Sequence, residues 1–153
     1  MNNQHFMNSK KKKKVYEILR EQFSYQKKLP YIFLMNDKNR IYVINKKVSE
    51  IISEIQKLKL NTMGLYFGEL FEDEIRLSIE GSQIIGPDAT LNLIEITKKE
   101  SRQWLKGSEL YSDYPSTKFI IIKSGNDYMG CGKIRNRRVL NFVAKTRRIK
   151  CSD

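Results

Sequence analysis

Residues 130–150 read GCGKIRNRRVLNFVAKTRRIK, and this stretch decides the architecture of the C-terminal half. Its short apolar runs show no helical period and predict strands over Tyr128–Ile134, Val139–Val143 and Arg148–Lys150. Just upstream, Gly125-Asn126-Asp127 is tight-turn chemistry. Phe119-Ile120-Ile121-Ile122 is too apolar to alternate, which marks a strand buried on both faces. Further back, Thr97-Lys98-Lys99-Glu100 is a capping box that opens a short helix running to Lys106. Gly107 supplies its left-handed C-terminal cap, and Trp104 and Leu105 are its expected anchors. With a strand over Asn92–Ile96, this half reads as a small β-barrel carrying one helix.

The N-terminal half mixes helix and strand. Residues 1–11 are polar and read as a flexible basic tail. Val15, Ile18, Leu19 and Phe23 fall at helical spacing, predicting a helix from about Lys12 to Lys28 that Pro30 stops. Tyr31–Met35 and Arg40–Ile44 read as a hairpin around Asn36-Asp37-Lys38-Asn39. Val48, Ile51, Ile52, Ile55 and Leu58 make one apolar stripe on a second helix, 46–58. Residues 63–70 and 74–79 read as a further hairpin, with Ile75, Leu77 and Ile79 alternating against Arg76 and Ser78. Gly81, Gly86 and Pro87 break regularity, and a boundary near residue 90 divides a 12–90 domain from a 91–153 domain. The fold class is α+β.

Charge separates the ends from the middle. The net charge is +12. Lys10 to Lys14 and Arg20 face only Glu17 within residues 1–20. At the other end Lys133, Arg135, Arg137, Arg138, Lys145, Arg147, Arg148 and Lys150 face only Asp153. Residues 21–130 are balanced, with 15 basic and 15 acidic side chains. A neutral body with two cationic segments points to a polyanionic partner.

The inventory for catalysis is poor. His5 is the sole histidine, which argues against a Ser-His-Asp or Cys-His arrangement and against histidine-rich metal sites. Cys131 and Cys151 lie 20 apart with no CxxC spacing, so neither a disulfide framework nor zinc is expected. Gly130-Cys131-Gly132-Lys133 lacks phosphate-loop spacing and precedes no helical pattern. Its glycines fit a strand that another backbone or a nucleotide approaches closely. Glu69, Glu72, Asp73 and Glu74 read as a solvated hairpin tip in preference to a metal site. No run reaches the roughly 20 apolar residues of a membrane span, and no apolar region follows the basic N-terminus as in a secretory signal. No cofactor, no metal and no membrane partner are expected, and the compartment expected is the cytoplasm.

Several motifs resemble a known module. WLKGSEL (Trp104–Leu110), FIIIK (Phe119–Lys123), GCGK (Gly130–Lys133) and LNFVAKTRRIK (Leu140–Lys150) resemble a PUA domain, an RNA-binding pseudo-barrel. The last two are most similar to the PUA-like domain found beside cytosine-5 RNA methyltransferases. There a Pro usually precedes the Lys; here Ala144 stands in its place. GLYFGEL (Gly64–Leu70) and RLSIEGSQIIGP (Arg76–Pro87) resemble the pre-PUA α/β domain of the Nip-type ribosome biogenesis proteins. The resemblance implies a pre-PUA-like α/β domain followed by a C-terminal PUA-like β pseudo-barrel. It also implies a nucleic-acid groove flanked by Gly107, Ser108, Gly130, Gly132 and Lys133. Lys145, Arg147 and Arg148 match the basic end of the motif, and charge alone adds Arg135, Arg137, Arg138 and Lys150.

The expected function is that of a non-catalytic RNA-binding accessory factor, not an enzyme. Structured RNA is the expected partner, rRNA in ribosome biogenesis or RNA modification first and tRNA second. Ribosome-assembly or RNA-modification proteins are further candidate partners. The alternative is a protein-interaction adaptor within a translation or RNA-modification complex.

Overall fold

The computed structural model describes residues 3–47 and 64–150. Its first element is a short strand, β1 (His5–Phe6), paired antiparallel with Met35 and Leu34. Met7 is buried and donates its amide to Phe33 O at 3.0 Å. Asn8 then caps helix α1 (Ser9–Phe23) by accepting from the amide of Lys11. The flexible tail expected over 1–11 is thus corrected for its described part. An apolar anchor and a side-chain cap hold the lysine run as the opening turns of a helix. No acidic residue stands in the first turn, so Lys10 and Lys11 oppose the positive end of the helix dipole.

The helix also ends earlier than expected, at Phe23 and not near Lys28. Ser24 adopts a left-handed conformation (φ 56°), its amide reaches Arg20 O, and Tyr25 N reaches Leu19 O. The bond from the left-handed Ser24 back to Arg20 is the simpler αL-type stop. Burial of Tyr25 and Leu29 fixes the reversal several residues before Pro30 can act. Val15, Ile18, Leu19, Gln22 and Phe23 form the buried face of α1.

Strands β2 (Tyr31–Met35), β3 (Arg40–Asn45), β4 (Leu65–Leu70) and β5 (Ile75–Leu77) complete a five-stranded antiparallel meander, ordered β1-β2-β3-β4-β5. In the β2–β3 turn, Asn36 Oδ1 accepts from the amides of Lys38 and Arg40, and Asn39 is left-handed at φ 61°. The helix expected over 46–58 falls almost wholly within 48–63, outside the described residues. Ile79 does not continue β5. Ser78 accepts from the amide of Gly81 at 2.9 Å and caps α2 (Ile79–Ile85). A residue read as the next strand position therefore opens a helix, because a serine cap outweighs the period-2 pattern.

The second sheet is mixed, with order β6-β8-β9-β10-β7. Its strands are β6 (Leu93–Glu95), β7 (Leu110–Tyr111), β8 (Phe119–Ser124), β9 (Asp127–Arg135) and β10 (Arg138–Asn141), with β6 parallel to β8. Helix α3 (Lys98–Leu105) carries the capping box read from sequence, Thr97 and Glu100 bonding reciprocally. Gly107 is left-handed at φ 98°, with Ser108 N reaching Gln103 O and Gly107 N reaching Trp104 O, a Schellman-type stop. Trp104 is fully buried among Ile96, Leu110, Ile120, Ile122 and Val139, and its indole N–H donates to Met129 O at 2.8 Å. Residues 148–150 do not form the expected strand. A 3-10 turn (Lys145–Arg147) precedes them, and Ile149 N reaches Leu105 O at 2.9 Å, so this segment lies across the end of α3.

One face of the second sheet closes over Trp104, and part of the other packs on the first half. Phe119, Ile121 and Cys131 share a core with Val15, Phe23, Phe33, Phe67 and Ile75. Strand β8 is therefore buried on both faces, as its run of apolar residues predicts. Gln22 ties the elements together. Its Oε1 accepts from Ile75 N at 2.8 Å, and its Nε2 donates to Ile75 O and to Phe119 O at 3.0 and 2.9 Å. Asn92 Nδ2 donates to Gln22 O at 2.6 Å. Gln22→Leu strands three buried backbone groups, each worth about 1–3 kcal/mol. We expect urea unfolding to show a loss of about 3 kcal/mol or more; a loss below about 1 kcal/mol would show that these groups find other partners.

Candidate nucleic-acid interface

The twelve residues expected at the interface fall into four places. Gly107, Ser108, Lys145, Arg148 and Lys150 meet at the C-terminal end of α3. A Cβ at Gly107 would stand 2.6 Å from Arg148 Nε, so the guanidinium lies directly over this glycine. Arg148 Nε donates to Val143 O at 3.1 Å, which fixes the side chain there. Asn141 braces the same corner: its Nδ2 donates to Trp104 O and Ser108 O, and its Oδ1 accepts from Val143 N. Lys106, Lys145 and Lys150 are exposed around it.

The second place is the β9–β10 turn, where Arg135, Arg137 and Arg138 are exposed. Arg137 pairs with Asp113 at 3.2 Å and Arg138 with Glu109 at 3.8 Å, both in solvent. The third is the interior. Gly130 sits at a bulge between β8 and β9 with φ 81°, and its amide donates to Ser82 Oγ on α2 at 2.8 Å. A Cβ at Gly132 would meet Val139 Cγ1 at 2.5 Å and Trp104 Cη2 at 2.9 Å. The close approach expected at these glycines is made by α2 at Gly130 and by the tryptophan at Gly132.

The fourth place is the seam between the halves. Lys133 pairs with Glu74 at 3.1 Å and lies 4.4 Å from the Phe119 ring centroid. Arg147 pairs with Glu80 of α2 beside a crevice lined by Ile79, Phe142 and Ala144. The acidic hairpin is engaged in the same way: Glu69 holds Arg76 at 2.8 Å and Asp73 holds Lys118 at 2.7 Å. The Lys118 hydrogen bond lowers the Asp73 pKa, and Asp73 in turn raises that of Lys118. These carboxylates are countered by cations; Asp73 and Glu74 reach across to the second half, while Glu69 holds its cation on the neighbouring strand β5. Burial pushes the Cys131 thiol up to about 12, so it is neutral at pH 7 and is no thiolate nucleophile.

Sequence reasoning missed Arg102, exposed in the last turn of α3, and Lys106, exposed at its C-cap beside the Gly107 corner. Their spacing in the sequence was signal enough. Tyr111, the most exposed large hydrophobic side chain among the described residues, gave no signal at all.

Residues 91–149 match the family of the methyltransferase RsmF PUA domain. The C-terminal half is a PUA-type domain. The match spans the whole second sheet, α3 and the Lys145–Arg147 turn, the parts just described. A PUA domain implies RNA binding in the setting of rRNA or tRNA modification. A search of curated proteins found no match to the chain.

Gly132→Ala is expected to lower stability by about 1–3 kcal/mol through overpacking against Trp104. Urea unfolding followed by Trp104 emission measures it; an unchanged midpoint would refute the close approach. The Cys131 thiol gives a pH signature. Its pKa rises on folding from about 9 to about 12, so the stability it confers is complete below pH 9 and is lost as pH climbs towards 12. In a Cys151→Ser background, Cys131→Ala should flatten that alkaline fall, and equal slopes in parent and variant would contradict it.

Proposed function

We propose that this chain is a non-catalytic accessory factor that binds structured RNA, with rRNA during ribosome assembly favoured over tRNA and the cytoplasm as its place of action. One observation carries this reading: the PUA match coincides with a surface on which Lys106, Lys145, Arg148 and Lys150 surround the Gly107 corner. No acidic side chain makes an ion pair with these four among the described residues. Cations placed by backbone and side-chain hydrogen bonds suit phosphate contact, and such contacts set position more than sequence choice. The lysines of α1 add a second cationic surface on a rigid element.

The non-catalytic reading draws support from the chemistry of the candidate groups. Cys131 is held neutral, the Glu69, Asp73 and Glu74 carboxylates hold cations, and His5 sits in a short edge strand. Among the described residues no helix is long and apolar enough to cross a membrane.

Replacing Lys106, Lys145 and Arg148 together by Ala should weaken binding to structured RNA regardless of sequence. The slope of log affinity against log salt should fall by up to about 3 units, near 0.9 per duplex phosphate contact. Arg147→Ala, which frees Glu80, should change that slope less. Filter binding across a salt series measures both, and an unchanged slope in a folded triple variant would remove this corner from the RNA interface.

A further inference from the structure

Strands β7, β10 and β9 bring three polar-tipped side chains into a single row. Tyr111 is paired with Arg138, and Arg138 is paired with Arg135. Directly opposed residues share a face of a sheet. The neighbouring row, Leu110, Val139 and Ile134, points the other way: Leu110 and Val139 are buried in the Trp104 core and Ile134 packs against it. The Tyr111 row therefore faces outward. Tyr111 is 73% exposed, far beyond what an aromatic packed for stability shows.

The row is also held in place. Asn136 and Arg137 are both left-handed, at φ 52° and 65°, as in a two-residue hairpin turn of the I′ kind. Ser112 N reaches Arg137 O at 2.9 Å and ties the end of β7 to that turn. A glycine would relieve the backbone at 137, yet the position carries another cation. Local acids do little to cancel this charge. The Arg137–Asp113 and Arg138–Glu109 pairs are solvent-exposed, and such pairs are weak. Arg135 has no acidic partner among the described residues.

Resting on the RNA-binding reading above, we propose that Tyr111, Arg138 and Arg135 form a stacking site for an unpaired nucleotide next to the structured RNA. The tyrosine offers its ring to a base, and the arginines on the two adjoining strands meet the flanking phosphates. Every base has a π-face, so this site is tolerant of sequence. Its position suits a flanking strand. Only Ser108, Glu109 and Leu110 separate Gly107 from Tyr111, a reach of about 14 Å at most. RNA held at the end of α3 therefore brings its unpaired extension to the row.

Fluorescence anisotropy with two labelled RNAs tests this: a blunt hairpin, and the same hairpin with about four unpaired nucleotides at one or the other end. The wild-type chain should bind an extended hairpin more tightly than the blunt one. Tyr111→Ala should lose about 5-fold to 100-fold on the extended hairpin, as expected for one stacked base, and nothing on the blunt one. Tyr111→Phe should retain the difference. Because Tyr111 is so exposed, its variants should unfold at the wild-type temperature, which thermal denaturation checks. Equal affinity of the wild type for extended and blunt hairpins overturns the stacking site and leaves RNA binding standing. So does a Tyr111→Ala variant with unchanged affinity for both, the result expected of a protein-docking face. Failure of the wild type to bind either RNA overturns the RNA-binding reading, and the stacking site with it.

Discussion

The Gln22 amide is the constraint on which the two halves depend. It sits on α1, completes the end of β5 and reaches the carbonyl of Phe119 at the start of β8. All its hydrogen-bonding groups are used in a place that water does not reach. An apolar side chain of similar size would fill the space but leave the backbone groups unpaired, which costs more than the packing returns. The mutual orientation of the sheets is therefore specified by directional bonds as well as by apolar contact. Glu74 reinforces this from the edge, accepting from Phe119 N while holding Lys133.

The outer face of the second sheet is divided by that junction. Ile121 and Cys131 lie under the first half, and Phe119 and Lys133 lie at its edge. Around this edge Arg76 sits between the rings of Phe71, Phe119 and Phe142, 4.7 Å from the Phe142 centroid. Beyond Leu140 the same face is open and carries the Tyr111 row. Burial at one end thus limits the free part of the face to the β9–β10 turn. The cations near the seam are occupied by carboxylates, whereas those at the α3 corner are not. Charge counting treats all eight C-terminal cations alike; the ion pairs separate them.

Local chemistry was legible in the sequence and distant contact was not. The capping box at Thr97, the turn at Gly125 and the doubly buried β8 depend on neighbours in the chain, and all three read correctly. The glycines at 130 and 132 were recognised as places of close approach, but what approaches them comes from residues 79–82 and from Trp104. Lys133 and Arg147 looked like free cations because Glu74 and Glu80 lie some 60 residues away in sequence. Ile79 misled for a different reason: it continues the alternation of β5, while Ser78 before it is a helix cap, and pattern and cap disagree within two residues. Tyr111 shows the converse limit, since exposure of one tyrosine among eight leaves no mark in a one-dimensional pattern.

A lysine run on a flexible tail would favour any polyanion of any outline, because the tail can follow it. Here the run is the start of α1, and the far end of that helix is clamped through Gln22. Lys10 and Gln22 are 12 residues apart, about 18 Å along a helix axis. The N-terminal lysines are thereby set at a constant offset from the PUA surface. Two cationic surfaces joined rigidly reinforce each other only on a ligand whose phosphates span that offset; on others one surface stays idle. Stiffness turns what looks like indiscriminate stickiness into a gauge of three-dimensional outline.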